Sequence, residues 1–154
     1  MVRFAEKKDL ERINALRKQV NELHAEGRPD VFKAGFGPDL QDHAAVFLNG
    51  ENSDILVAER NGVICGTACV NYVYKPETPY LAARSFYHVQ ELAVDEAYRR
   101  QGVAGELFAF MKAEAAKRKL ARIELDVWAF NTSAIEFYSA MGFSPTRIWM
   151  EYDL

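Results

Sequence analysis

Cysteine and histidine are scarce in this chain, with two and three copies among 154 residues. No Cys-x-x-Cys occurs, so a structural zinc site is not expected. The two cysteines, Cys65 and Cys69, sit in "VICGTACVNYV". On an unbroken strand, four residues would set them about 13 Å apart on one face. A disulfide needs Cα atoms within roughly 7 Å, so they do not pair and read as small buried hydrophobes. A basic surplus is also missing: 19 Lys and Arg stand against 22 Asp and Glu, for a net charge of −3. That balance argues against a nucleic-acid partner, although it leaves room for a local basic site such as Arg99-Arg100. Long apolar runs are absent, and with them a membrane span. The opening "MVRFAEKKDL" lacks the apolar core of a signal peptide. Repeats, low-complexity tracts and linkers are absent too. The expectation is one cytoplasmic domain, residues 1–154, with no membrane and no metal.

What is present is a change of period along the chain. Residues 2–5 suit a short strand. Asp9 can cap a helix whose Leu10, Ile13, Leu16, Val20 and Leu23 recur at steps of three or four, ending near Gly27. A second helix is expected from Asp39 to Asn49, stopped by Gly50. Two β-rich runs follow, joined by Asn61-Gly62, a strong hairpin signal. A loop, "KPETPYLAA", leads to a strand over residues 84–94. Residues 105–119 read as a helix, 122–128 as a strand and 132–141 as a short helix. "FSPTRIWMEYDL" is expected to close with one or two strands. The order is β-α-α-β-β-β-α-β-α-β. The strand–turn–helix–strand unit in the middle makes its two strands parallel; the remainder pairs antiparallel. This is an α/β class (α+β mixed sheet) flanked by about four helices.

Between that unit's first strand and its helix lies "YRRQGVAGEL", residues 98–107. Small residues there let an anion approach the unpaired amides of a helix N-terminus. Arg99 and Arg100 add charge, so a phosphate or pyrophosphate is the expected guest. A Walker loop would end in Gly-Lys-Ser/Thr, and a dinucleotide fingerprint would read Gly-x-Gly-x-x-Gly. Neither is spelled here.

Arg99-x-x-Gly102-x-Ala104 resembles the Gln/Arg-x-x-Gly-x-Gly/Ala signature of the GNAT (GCN5-related) N-acetyltransferases. "ELAVDEAYRRQGVAGELF" resembles that family's fourth strand, turn and third helix. "ELDVWAFNTSAIEFYSAMGF" resembles its fifth strand and fourth helix. Residues 84–143 carry these motifs, and residues 1–50 match in architecture only. The resemblance implies a mostly antiparallel sheet with one parallel pair, strands four and five, splayed around the cofactor. It implies acetyl-CoA as co-substrate, with Arg99, Arg100, Gln101, Gly102, Val103, Ala104 and Gly105 holding the pyrophosphate. Leu92 and Val94 would bond the pantetheine arm through their backbones. An amide near Leu92 or Ala93 would meet the acetyl oxygen.

Further roles follow from the same resemblance. Asn131 is either a ligand to the pantetheine arm or a helix cap, with Ser133 and Glu136 able to form a capping box in its place. Tyr138 is the acid for the departing thiolate. Three residues compete as base, with water alone as the remaining alternative. His88, four before Leu92, would share its face; Glu91 would point the other way unless a bulge intervenes; Asp126 precedes Asn131 by five. The acceptor is an amine, small or peptidic, whose site draws on the first two helices. Residues 26–54 hold Glu26, Asp30, Asp39, Asp42, Glu51 and Asp54 against Arg28 and Lys33, a charge suited to a cation. Tyr80, Phe86 and Tyr87 are candidate pocket walls. A non-catalytic acyl-CoA binder and a transferase of larger acyl groups stay open. Pairing into a homodimer accords with the resemblance, but the sequence bears no direct sign of it.

Overall fold

The computed structural model describes residues 1–154. Five strands lie in the order β1-β2-β3-β4-β5: β1 (Val2–Phe4), β2 (Ser53–Arg60), β3 (Val63–Lys75), β4 (Arg84–Val94) and β5 (Ile123–Leu125). The first four pair antiparallel, and β5 joins β4 in parallel. The β2–β3 turn is the expected one, with positive φ at both Asn61 (51°) and Gly62 (77°).

Helices α1 (Leu10–Gly27) and α2 (Pro38–Leu48) cover one face of the sheet, and α3 (Val103–Lys117) covers the other. Two cores result. Ile13 and Leu16 of α1, with Ala44 and Phe47 of α2, pack on Ile55, Val57, Ile64, Cys69 and Ala93. Val103, Leu107, Met111 and Ala115 of α3 pack on Leu56, Ala58, Ala68, Val70, Tyr87 and Val89. The alternation of β2 assigns its residues to the two cores in turn, as a strand buried on both faces requires. No helix is long and apolar enough to cross a membrane.

Two bulges break that alternation. Ala58 pairs with Gly66 while Glu59 pairs with Ile64, so Cys65 is an extra residue in β3. Cys65 and Cys69 therefore fall in opposite cores rather than on one face. In β4, Cys69 pairs with Glu91 and Val70 with Val89, leaving Gln90 as the extra residue.

The C-terminal fifth of the chain departs most from expectation. β5 is three residues long, and α4 (Thr132–Ala140) has no fully buried residue, although Ala134, Phe137 and Tyr138 are half-buried. Residues 143–154 form no strand. Strand structure needs a partner for its backbone groups, and this segment has none within the chain.

Candidate active site

β5 accompanies β4 for only three register pairs, Tyr87–Ile123, His88–Glu124 and Val89–Leu125. Beyond the Gln90 bulge, β4 runs on alone along that edge. Asp95 donates its N–H to the Cys65 carbonyl on β3. Backbone groups alternate direction along a strand, so those of Val94 and Leu92 face the gap. The Ala93 amide then points back toward β3, which leaves Leu92 as the donor of the expected pair. The Val94 carbonyl is met from the gap side by Arg99 Nε at 3.4 Å.

The gap leads into the glycine-rich turn. Arg100 and Gly102 take positive φ (58° and 84°), and Gly102 caps α3. The helix therefore begins two residues earlier than expected. Its first intrahelical bond runs from Glu106 N–H to the Gly102 carbonyl at 3.0 Å. The amides of Val103, Ala104 and Gly105 consequently have no acceptor in the helix, and the helix dipole adds positive potential there. A Cβ placed on Gly105 would meet no atom within 4 Å, so nothing inside the protein requires a glycine at this position.

Several contacts fix the turn. Gly66 lets the first turn of α3 press onto the sheet; a Cβ there would lie 2.7 Å from Val103 Cγ1. Arg60 donates to the Gln101 carbonyl at 2.8 Å and pairs with Glu106 at 2.5 Å. Asp95 accepts from Ala97 N–H at 2.9 Å and is ion-paired with Arg12. The Ala97 amide first, with Arg12 beside it, holds the Asp95 carboxyl below its ordinary range. Arg99 turns back onto Val94 and Glu96.

The Gln90 bulge rearranges the candidate bases. Tyr87 and Val89 lie in the α3 core, which places His88 on the α1–α2 face. The extra residue puts Glu91 on that face too, beside Ala93 and opposite Cys69. His88 is thus parted from the face of Leu92, which packs with the α3 core. His88 Nε2 lies 3.7 Å from Asp126 Oδ2, so two of the competing residues are neighbours.

Glu91 is engaged elsewhere. Arg17 donates to it twice, Nε to Oε2 at 2.7 Å and Nη2 to Oε1 at 3.1 Å. Arg17 is only 3% exposed. It also donates to the Leu40 carbonyl at 2.7 Å and to Asn14 Oδ1 at 3.0 Å, and it lies over the Phe36 ring at 5.5 Å. Burial alone would lower the Arg17 pKa, but the hydrogen bonds and charge of Glu91 outweigh that and raise it. The pair ties α1, the α1–α2 connection and β4 together. Sequence reading overlooked Arg17, although it lies four residues after Ile13 and so on the buried stripe. Arg17→Met is expected to destabilise the fold by roughly 2–3 kcal/mol, at the lower end for a broken buried pair because Glu91 keeps some solvent; urea unfolding measures it.

Tyr138 extends from α4 and packs against Phe143, with ring centroids 5.4 Å apart. Phe143 in turn meets Phe108 of α3 at 5.1 Å. This chain of rings ties Tyr138 to α3 through Phe143 and Phe108. Burial raises its phenol pKa, which keeps the hydroxyl a donor. Asn131 does cap α4, its Oδ1 accepting from Ala134 N–H at 3.2 Å. The alternative capping box is thus not needed, and only the Asn131 Nδ2 end is left to face a ligand.

The acceptor-side expectations are redrawn. Tyr80 is 86% exposed and Tyr87 is fully buried in the α3 core, so neither forms a wall. Asp30 is held by Arg28, while Asp54 faces Tyr72 and Arg118. An aromatic cluster that sequence reading missed stands at the end of α1. His24 stacks on Phe32 at 4.9 Å, and Phe32 meets Trp128 edge-on at 5.3 Å. Phe130 adjoins both His24 and Trp128. Burial lowers the His24 pKa against the opposing charge of Glu91, so its ring stays neutral and adds no repulsion toward a cation. Both cysteines are buried. Burial, then the charge of Glu91, pushes the Cys69 thiol up to about 12, which leaves it unreactive.

The chain belongs to the acetyltransferase (GNAT) family, whose pattern it matches over residues 5–143. The L-ornithine N5-acetyltransferase NATA1 of Arabidopsis thaliana is 29% identical over 130 residues, 78% of this chain and 52% of that protein. The [ribosomal protein bS18]-alanine N-acetyltransferase of Escherichia coli is 38% identical over 61 residues, 40% of this chain and 41% of that one. The chain thus spans about half the length of these curated relatives or less. Among solved structures, a tetramutant of the BH1408 protein from Bacillus halodurans superimposes with a TM-score of 0.96 at 27% identity, covering 100% of this chain and 99% of that one. The aminoglycoside N-acetyltransferase AAC(6')-Iy, solved in complex with CoA, has the same fold at 21% identity, with a TM-score of 0.77 and coverage of 100% and 93%.

Proposed function

We propose that the protein is an acetyl-CoA-dependent N-acetyltransferase that moves the acetyl group directly to a primary amine, with residues 1–154 acting as one catalytic unit. The observation that carries this reading is the continuous open backbone running from Leu92 and Val94 into the unpartnered amides of Val103, Ala104 and Gly105. It offers strand-like bonds to a linear amide-bearing arm and then a cradle for its pyrophosphate. CoA in the AAC(6')-Iy structure accords with that assignment.

In the proposed reaction the amine nitrogen attacks the thioester carbonyl carbon. His88, with Asp126 beside it, takes the amine proton. The Leu92 amide stabilises the oxyanion as charge builds on it. The C–S bond then breaks, and Tyr138 gives its proton to the thiolate sulfur. Glu91, held in place by Arg17, is a positioning residue on the acceptor side. No cysteine is placed to form an acyl-enzyme.

The test is release of free CoA thiol from acetyl-CoA in the presence of ornithine, diamines, aminoglycosides and peptides with an N-terminal alanine. The first and last of these follow the curated relatives' names. Thiol release with one amine class supports the reading. Tight binding of acetyl-CoA with no release on any amine would make the protein a non-catalytic acyl-CoA binder. Once an acceptor is known, His88→Gln is expected to lower kcat at least about 10-fold, read from initial rates at saturating acetyl-CoA. A rate unchanged by this substitution would remove His88 as base.

A further inference from the structure

The connection from β4 to α3, residues 95–102, sets where the amides of Val103, Ala104 and Gly105 point. Part of its backbone resists the shape it takes. Arg100 has a φ of 58°, a conformation that residues with a side chain seldom adopt unless their surroundings hold them there. Apolar packing supplies little of that hold. No residue of the connection is fully buried, and only Tyr98 packs against the α3 core.

The hold is polar and comes from two ends. At the far end, Arg60 of β2 donates to the Gln101 carbonyl and pairs with Glu106. At the near end stands Asp95. Its backbone carbonyl accepts from Tyr98 N–H at 2.8 Å, and its side chain accepts from Ala97 N–H at 2.9 Å. Together these bonds close the short helical turn Glu96–Tyr98. Gln101 Nε2 then donates to the Ala97 carbonyl at 2.8 Å, so the setting of Asp95 carries through to residue 101.

Asp95 is itself held by Arg12, which comes from the other face of the sheet. Arg12 sits on α1, the helix whose Arg17 grips Glu91. Arg12 Nη2 is ion-paired with the Asp95 carboxylate, only 15% exposed, and its Nε donates to the Ile64 carbonyl at 2.9 Å. Ile64 adjoins the extra residue Cys65, whose carbonyl takes the Asp95 N–H at 2.9 Å. Arg12 therefore joins the Asp95 side chain to the same end of β3 that anchors the Asp95 backbone. A planar guanidinium bonded at two points has little freedom left.

We propose that Arg12 is a positioning residue for the pyrophosphate of CoA: acting through Asp95, it holds the β4–α3 connection in the shape that aims the three amides. This role exists only if CoA is the ligand, so it rests on the acetyl-transfer reading. The pantetheine arm does not depend on Arg12. Leu92 and Val94 are fixed by their register with Ala68 and Gly66 of β3, ahead of the ion pair. That difference separates positioning of the turn from general support of the fold.

Titrations followed by amide NMR shifts compare two ligands: CoA, and pantetheine, which lacks the pyrophosphate. Arg12→Met is expected to weaken CoA binding about 10-fold and leave pantetheine within about 2-fold, because ordering the connection then falls to the pyrophosphate. Asp95→Asn keeps an oxygen for Ala97 N–H and drops the ion pair, so it is expected to show the same split. It also tests the pair if Arg12→Met fails to fold. In the double variant the two losses are expected not to add. Unchanged CoA affinity in either folded variant, or equal weakening of CoA and pantetheine, overturns the proposal. A parent chain that binds no CoA overturns the acetyl-transfer reading itself, and this role with it.

Discussion

Tyr138→Phe is expected to lower kcat by about 100-fold while leaving acetyl-CoA affinity within about 2-fold, because general acid catalysis typically contributes that much or more. The substitution removes one oxygen and keeps the ring. The contacts of Tyr138 with Phe137 and Phe143 are made by the ring face and edge, so packing at the α3–α4 junction survives. The hydroxyl has no partner inside the protein, and its raised pKa comes from burial alone. Its loss therefore breaks no structural hydrogen bond. What is lost is a proton donor to the departing thiolate. Stopped turnover followed by thiol release, beside calorimetric titration with CoA, separates the two quantities. Equal rates for the variant and the parent would make Tyr138 a packing residue.

The second large effect is expected at Gly105. Gly105→Glu should weaken CoA binding by about 100-fold or more, yet leave the protein as stable as before or slightly more so. The two halves of this expectation have separate causes. A side chain at Gly105 meets no protein atom, glutamate is a better helix former than glycine by roughly 0.5–1 kcal/mol, and a carboxylate in the first turn of α3 is favoured by the helix dipole. The same carboxylate competes with a pyrophosphate for the amides of Val103 to Gly105 and repels it. Thermal unfolding read beside CoA titration gives both numbers from one variant. Unchanged CoA affinity would remove the turn as the pyrophosphate site.

Much of this arrangement was legible in the sequence. The turn at Asn61-Gly62 was spelled by residues that tolerate positive φ, and the anion-ready turn by small residues after two arginines. The helices announced themselves by apolar spacing. The misassigned strand faces share one cause, which is that alternation was carried through strands that contain an extra residue. Cys65 and Gln90 are ordinary by type, and no local signal marks them as bulges. Their placement depends on how β3 meets both its neighbours. Arg17 was missed because a basic residue on a helix is assumed to be solvated, although its spacing from Ile13 placed it inward. Residues 143–154 were expected to close with one or two strands and form none; a strand is a property of a pair, and alternation along one segment does not supply the partner.

The extra residue at Gln90 also works as a phase shifter. Upstream of it, odd-numbered residues of β4 face α3; downstream, even-numbered ones do. One strand can therefore present open backbone toward the gap at Leu92 and Val94 while packing their side chains on the α3 core, and carry the polar side chains of His88 and Glu91 on the opposite face. Were Gln90 instead paired as an ordinary residue, with no bulge, alternation would turn the Glu91 carboxylate toward the α3 core, away from Arg17. With the bulge in place, Leu92 and Val94 lie on one face of the strand and His88 and Glu91 on the other, so donor-side and acceptor-side substitutions fall on separate faces.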